Sequence, residues 1–321
     1  MVTTVPKAFE QFIKSLIPTE KENESIINRH EYIRKTLSGK VINDKRKPHF
    51  LTGSYKRHTQ IRPVNDVDIM IILDYDEYWD QFGNDPIALL RFIKKKLKET
   101  YPETTIRIQS HSIGLKFSKI PDVDIIPSFL IDEENEIYII PDKNFSIYIK
   151  TSPPKHQTII SEHNLKLKNK FVPLIRIIKK WRSSNDIDLK SFHLEVFIMK
   201  LITSPFQRYQ DALHYFFESA TKAIYDSCMD PAGLSGDLAD YLTAQDKQNL
   251  SKEFLKLSQK IKELNQLEKE GYHQPSIEGW YNIFKEPFPR PIKTSSGKYQ
   301  SKKSTEFPPE GKNITFGYKK W

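Results

Sequence analysis

The stretch GSYKRHTQIRPVNDVDIMIIL (Gly53–Leu73) places two carboxylates directly before an apolar run. Asp66 and Asp68 lie two positions apart, and residues 69–73 are all apolar. Side chains alternate across a strand, so residues i and i+2 share a face. We therefore predict a loop over residues 53–65 and a strand over residues 66–73, with both carboxylates on one side of its first residues.

A second pair of carboxylates, Asp122 and Asp124, precedes another apolar segment that ends at Pro127. If the two strands are neighbours, a third carboxylate joins Asp66 and Asp68. Carboxylates held this close stay ionised together when a cation lies between them, and Mg²⁺ prefers oxygen ligands. The pattern predicts two Mg²⁺ ions, with Mn²⁺ as an alternative, in a phosphoryl-transfer site. The competing interpretation, a solvated turn, would suffice for an isolated Asp-x-Asp.

Gly53 and Ser54 precede the first carboxylate pair by about a dozen residues. A glycine lets the backbone approach a phosphate closely, and a serine hydroxyl can bond a phosphate oxygen. Alone, a Gly-Ser pair is typical of an ordinary turn. Upstream of Asp66 and Asp68 it predicts a phosphate contact.

Composition narrows the class of protein. The chain has 321 residues, 38% of them apolar, which suits one large or two closely packed domains. The net charge of +9 suits a nucleic acid or nucleoside triphosphate partner, or merely a lysine-rich surface. A single cysteine, Cys228, excludes a disulfide within the chain and a cysteine-rich zinc site. No apolar run resembles a signal peptide or a membrane span, so we expect a cytoplasmic protein without membrane contact.

The periodicity of apolar residues predicts an α+β fold in which a mixed sheet is flanked by helices. We divide the chain into N-terminal helices and sheet (1–155), a helical domain (156–285) and an irregular tail (286–321). Outside the opening stretch, the predicted helices of the first part cover about 9–16, 20–37 (ended by Ser38-Gly39) and 86–100, and the predicted strands cover 105–109, 113–117, 123–129 and 137–140.

The helix predicted over residues 86–100 has apolar residues at helical spacing on one side and lysines mostly on the other. We expect its inner face to consist of Ile87, Leu90, Ile93 and Leu97.

Three motifs together resemble the signature of the polymerase-β-like nucleotidyltransferase superfamily: Gly53-Ser54, Asp66-Val67-Asp68 and Val123-Asp124-Ile125. The fuller string Gly-Ser-Tyr-Lys-Arg-His-Thr, with Ile-Arg-Pro before Asp-Val-Asp, resembles the bacterial CD-NTases of CBASS anti-phage systems. These are relatives of cyclic GMP–AMP synthase and oligoadenylate synthetase. The resemblance extends to about residue 245 and implies a nucleotidyltransferase core packed on a C-terminal helical domain, with the active site in the cleft between them.

The resemblance also implies catalytic and metal-binding roles for the carboxylates. Asp66 and Asp68 would bind both metal ions, and Asp124 would bind the one that activates the acceptor hydroxyl. In the family the third carboxylate precedes two hydrophobic residues and often a proline. Asp124 fits that pattern and Asp122 does not, so we assign Asp122 a flanking position.

Two segments of the helical half resemble nucleotide-binding segments of the family. By position, Lys179 would bind the triphosphate, as would Ser191, and Phe192 would stack on a base. From the residues alone, Lys179 is equally a surface lysine and Phe192 a core residue. We expect Glu195, three positions after Phe192, to make a structural bond rather than to catalyse.

The implied activity joins nucleoside triphosphates into a cyclic di- or trinucleotide second messenger, releases pyrophosphate and serves anti-phage signalling. ATP is the expected substrate, the second nucleotide is open, and no recognised motif requires nucleic acid. We expect a monomer whose product activates an effector encoded nearby. Two alternatives remain: synthesis of linear oligonucleotides, as in oligoadenylate synthesis or RNA tailing, and a non-catalytic nucleotide-binding scaffold. Three intact carboxylates argue against the scaffold.

Overall fold

The computed structural model describes residues 2–37, 49–118 and 121–292. In the first half, the elements are α1 (Val5–Ser15), α2 (Glu20–Thr36), β1 (His49–Thr52), α3 (Gly53–Lys56), β2 (Asp66–Ile72), α4 (Tyr75–Phe82), α5 (Pro86–Thr100), β3 (Thr105–Ile108), β4 (Ile113–Lys116), β5 (Asp122–Asp132), β6 (Ile137–Asp142) and β7 (Ile147–Thr151). In the second half, they are α6 (Pro153–Lys166), α7 (Phe171–Ser184), α8 (Ser191–Leu201), α9 (Tyr209–Ala223), α10 (Ala244–Lys269) and α11 (His273–Phe284).

The strands form one mixed sheet in the order β1-β2-β5-β4-β3, and β6 links the other end of β5 to β7. The central pair, β2 and β5, is parallel, whereas the other pairs are antiparallel. The mixed sheet agrees with the prediction. The loop predicted over residues 53–65 begins instead with the helical turn α3, and β1, α4 and β7 were not predicted.

Helix α5 covers one side of the sheet. It begins where predicted because Asp85 accepts a hydrogen bond from the backbone N–H of Ala88 and Pro86 occupies the first turn. Its inner face differs from the prediction at one position: Leu89 is fully buried, whereas Ile87 is partly exposed. The buried stripe of this helix comprises Leu89, Leu90, Ile93 and Leu97.

One hydrophobic core lies between the sheet and α5, and another lies in the helical half. The core of the helical half also includes α1 from the N-terminus. Phe9 and Phe12 of α1 pack edge-on or tilted against Phe284 and Phe288, with ring centroids 4.8–6.2 Å apart. Hydrophobic packing therefore groups α1 with the C-terminal helices, and Phe288, within the predicted tail, is fully buried. The division of the chain at residues 155 and 285 stays a prediction. The helix end at Ser38-Gly39 and residues 293–321 of the tail lie outside the described residues.

Over the described ranges, no helix is both long enough and apolar enough to cross a membrane.

Candidate active site

The parallel pairing of β2 and β5 brings carboxylates from distant parts of the chain together at the N-terminal ends of these two strands. Asp66 lies opposite Asp122, and Asp68 lies opposite Asp124. Paired Cα atoms in adjacent strands are about 5 Å apart, so these side chains share one small volume. The structure thus brings together the three carboxylates that the sequence proposes as catalytic.

Burial and mutual repulsion disfavour the ionised form of these side chains. Burial raises the pKa of Asp68 to about 7, and the neighbouring charges of Asp66 and Asp124 add to the rise. Burial and the charge of Asp66 raise the pKa of Asp124 to about 6. The pKa of Asp66 is raised by burial, partly opposed by the positive charge of Lys179.

Asp122 and Asp124 have different hydrogen-bond partners. The Oδ1 atom of Asp122 accepts a hydrogen bond from the backbone N–H of Phe117 (2.9 Å), the residue that follows β4. The Oδ1 atom of Asp124 accepts from Nε2 of Gln109 (2.9 Å), which orients this carboxylate. The choice of Asp124 as the third carboxylate and of Asp122 as a flanking one stays a prediction.

The donor set fits a hard divalent cation. Three carboxylates whose charges raise one another's pKa values are suited to a counter-ion, and oxygen is the ligand type that Mg²⁺ prefers. Among the residues that the structure describes, no group of three His, Cys, Asp or Glu side chains is yet gathered closely enough to hold an ion.

Gly53 faces Asp68 from the start of α3. Its φ of +66° lies in the left-handed region, and a Cβ atom added there would lie 1.7 Å from Oδ2 of Asp68. Only glycine fits this position. Ser54 follows in the same helical turn, and its backbone carbonyl accepts a hydrogen bond from the N–H of Thr59 (2.9 Å).

Lys179 on α7 lies inside the protein with 3% of its surface exposed. Its ammonium group donates to Oε1 of Glu195 and to the carbonyl and hydroxyl oxygens of Thr59 (3.2 and 3.3 Å). Arg57 completes this network with two hydrogen bonds to Glu195 (2.9 and 3.3 Å). Lys179 is therefore a partner of a buried glutamate in this structure, and Glu195 has the structural role that the sequence suggests.

Ser191 and Phe192 occupy the first turn of α8. The Oγ atom of Ser191 accepts a hydrogen bond from Arg182 of α7 (2.9 Å). The ring of Phe192 is contacted by the guanidinium of Arg57, 4.8 Å from its centroid, and by the ring of His156 at 4.6 Å. Phe192 is partly buried against the helical core, and the remainder of its side chain is exposed.

His156 in turn contacts a loop that precedes α10. Its Nε2 atom lies 2.7 Å from Oδ1 of Asp230, and Asp230 also accepts hydrogen bonds from the backbone N–H groups of Ala232, Leu234 and Ser235. These bonds hold the pKa of Asp230 well below its usual range despite burial. The side chain of Asp230 thus organises its own loop and anchors it behind Phe192.

Sequence reasoning missed several residues that shape this site, namely Arg57, Thr59, Gln109, His156 and Arg182. Arg57 and Thr59 lie within the quoted opening stretch, so their closeness to Gly53 was available as a signal. Their partner Glu195 is more than 130 residues away in the chain, and no spacing rule predicts that pairing. The same holds for Gln109 and His156.

The fold and site together define a nucleotidyltransferase: carboxylates at the edge of a mixed sheet, a glycine turn facing them, and a helical half that supplies cations. Residues 3–164 match the family described as the Second Messenger Oligonucleotide or Dinucleotide Synthetase (SMODS) domain. Because the match covers half of the chain, the chain belongs to this family. The predicted α+β fold and the resemblance to CD-NTases are confirmed.

Individual relatives agree with this assignment. A probable cyclic nucleotide synthase of Bacillus cereus is 28% identical over 90% of this chain and 99% of its own length. A cyclic AMP-AMP-AMP synthase of Acinetobacter is 28% identical over 68% of this chain and 64% of its own. CdnC of Escherichia coli MS115-1, solved in complex with a HORMA protein, has a TM-score of 0.70 at 17% identity, covering 88% of this chain and 98% of CdnC. At that identity, the likeness to CdnC concerns the fold alone.

Proposed function

We propose that this chain joins nucleoside triphosphates into a cyclic di- or trinucleotide second messenger and releases pyrophosphate. Family membership supports the class of reaction. The observation that carries the proposal is the register of β2 and β5, which sets Asp68 beside Asp124 at the strand edge faced by Gly53. A scaffold that only bound nucleotide would gain nothing from holding mutually repelling, partly desolvated carboxylates there.

In this proposal Asp66, Asp68 and Asp124 hold the divalent cations, two Mg²⁺ ions or Mn²⁺ in their place. When bound, such ions lower the pKa of an attacking hydroxyl and neutralise the leaving pyrophosphate. Asp124, oriented by Gln109, accepts the proton of the acceptor hydroxyl. The hydroxyl oxygen bonds to the α-phosphorus of the donor, and the bond from that phosphorus to the pyrophosphate oxygen breaks.

The donor triphosphate lies between α3 and the helical half. Gly53 and Ser54 offer backbone N–H groups and a hydroxyl at the start of α3, and Ser191 offers a hydroxyl at the start of α8. Lys179 acts through the network with Glu195 and Thr59, which fixes the segment after α3. Phe192, held between Arg57 and His156, offers its remaining surface to a base.

We further propose ATP as a substrate, in line with the name of the Acinetobacter relative, and a monomer that acts in the cytoplasm, where nucleoside triphosphates are available. The product would activate an effector encoded nearby. Nucleic acid is not required by any feature of the site described here.

Incubation of the purified chain with all four nucleoside triphosphates and Mg²⁺ or Mn²⁺, followed by mass spectrometry, tests the proposal. The expected product resists phosphatase because a ring has no terminal phosphate. A phosphatase-sensitive product would identify a linear-oligonucleotide synthase instead. Absence of any product with every nucleotide and both ions would contradict the proposal.

A further inference from the structure

A hydrogen bond from Arg182 decides what the hydroxyl of Ser191 can do. The Nη1 atom of Arg182 donates to Oγ of Ser191 (2.9 Å) and to the carbonyl oxygen of Leu189 (2.6 Å). A guanidinium group has donors and no acceptor. The oxygen of Ser191 therefore accepts in this contact, and its single O–H is left to donate to another group.

We propose that Arg182 is a positioning residue that makes Ser191 a dedicated hydrogen-bond donor to the nucleotide triphosphate. The inference rests on the function proposed above and adds a residue to the same site. A phosphate oxygen carries negative charge and only accepts hydrogen bonds, so it requires a hydroxyl whose hydrogen is free. The adjacent positive charge also polarises that O–H bond and strengthens it as a donor.

The position of Arg182 beside the start of α8 supports this role. Its second bond, to Leu189, fixes the residue that leads into α8, a helix whose first turn has no side-chain cap. The uncapped N–H groups add a favourable potential for an anion at the same end of the helix as Ser191.

The hydrogen bonds that Lys179 already makes increase the importance of the Arg182–Ser191 pair. An ammonium group has three donors, and those of Lys179 are matched by Glu195 and by two oxygens of Thr59. The side chain is almost completely buried. Direct contact between Lys179 and a phosphate would require these bonds to break, whereas Ser191 can donate without rearrangement.

A double-mutant cycle tests the inference through the affinity for α,β-methylene-ATP with Mg²⁺, measured by calorimetry, together with KM and kcat. We expect Ser191→Ala and Arg182→Gln each to weaken nucleotide binding by about tenfold, the size of a lost charge-assisted hydrogen bond. The double variant should bind no more than about threefold more weakly than Ser191→Ala, since Arg182 acts through Ser191.

Two results would overturn the inference: multiplication of the two single effects in the double variant, or unchanged binding by Arg182→Gln while Ser191→Ala weakens it. Arg208→Gln is the matched control, because Arg208 is a half-buried arginine paired with Glu268 away from the carboxylates. It should change thermal stability without changing nucleotide affinity.

The cycle remains decisive if Arg182→Gln does not fold. Arg182→Lys then replaces it, because lysine keeps the charge but lacks the rigid planar guanidinium that aims Nη1 at Leu189 and Ser191. Because affinity is measured without turnover, this result is separate from the proposed function. An enzyme that binds ATP through the coupled pair but makes no product would contradict only the function.

Discussion

At the scale of single residues, the carboxylates of the candidate site lower the stability of the fold and supply the charged groups that the proposed reaction needs. A carboxylate whose pKa is raised to about 7, such as Asp68, is more stable in water than in its partly buried position beside Asp66 and Asp124. Nothing in the packing of β2 needs a charge there, because the strand's stability comes from its apolar residues. Residues that weaken the fold and share one small volume are candidates for function.

Replacing Asp66 and Asp68 together with asparagine should abolish product formation and leave the thermal midpoint of the cation-free protein unchanged or higher. Asparagine is nearly isosteric and removes the repulsion, but it cannot supply a charged ligand. Product is measured by mass spectrometry and stability by thermal unfolding. Undiminished turnover would refute the assignment of the carboxylates.

Asp122→Asn is the matched control for that experiment. Asp122 lies opposite Asp66 in the same strand pair, yet its oxygen accepts from the N–H of Phe117, a bond that asparagine can retain. We expect a far smaller loss of activity than for Asp124→Asn. Equal losses in the two variants would show that Asp122 belongs to the cation-binding set.

Gly53→Ala should lower the rate by roughly a hundredfold, the cost of displacing a catalytic group by about 1 Å. The added methyl group would collide with Asp68, so that carboxylate must move. Gly271→Ala is a suitable control because Gly271 also has a positive φ (+85°) but has no atom within 4 Å of the added Cβ. Gly271→Ala should lower the stability through a similar backbone strain, whereas its activity should persist.

Similar losses of activity in the Gly53 and Gly271 variants would mean that backbone strain, rather than the collision with Asp68, explains the effect.

At the scale of elements, one buried glutamate joins three segments. Glu195 of α8 has no exposed surface and binds Arg57, which follows α3, and Lys179 of α7. The two cations hold the pKa of Glu195 at about 2 even though burial alone would raise it. The network sets how the glycine turn sits against the helical half.

Glu195→Gln should destabilise the protein by about 3 kcal/mol, because it leaves two buried cations without a counter-charge. Urea unfolding at pH 7 measures the change. Glu10→Gln removes an exposed pair with Lys14 and should leave the urea midpoint unchanged. A midpoint for Glu195→Gln equal to that of the wild type would show that the network does not bear on stability.

The sequence predicted some elements correctly and missed others. The difference lies in whether an element is determined by its own residues or by contacts with distant parts of the chain. Helix α5 matches its predicted bounds because Asp85 and Pro86 signal its start within the chain itself. Helix α4 was missed although Asp74 caps its start, and it packs on distant residues, since Trp79 contacts Phe129 and Tyr148 of β7. The partner choice of Glu195, like the misplacement of Ile87, depends on tertiary geometry that periodicity does not contain.

At the scale of the whole molecule, the sequence indicated the class from three short motifs, because they occupy positions that the fold must bring together. The parallel pairing of β2 and β5 is what converts distant motifs into one site. The grouping of α1 with the C-terminal helices was beyond sequence reasoning, because its Phe9 and Phe12 could pack on either half equally well by composition.

Buried titratable groups make the stability of the whole molecule depend on pH in two opposing ways. The raised pKa values of Asp68 and Asp124 mean that the folded state binds protons more readily there, so acidification relieves their repulsion. His193 acts in the other direction: burial lowers its pKa to about 4, partly opposed by the charge of Asp237. Between pH 6.5 and pH 4, the unfolded chain therefore binds a proton at His193 that the folded chain does not bind.

The difference between the wild type and His193→Gln isolates the histidine. Between pH 7 and pH 4.5 the wild type should lose about 2 kcal/mol relative to the variant, because His193 titrates near 6.5 when unfolded and near 4 when folded. Because its pKa is lowered, Glu195 contributes the same stability to both proteins, and this stability is lost only at more acidic pH. Urea unfolding at several pH values measures the difference, and parallel stability curves for the two proteins would show that His193 accepts a proton inside the fold.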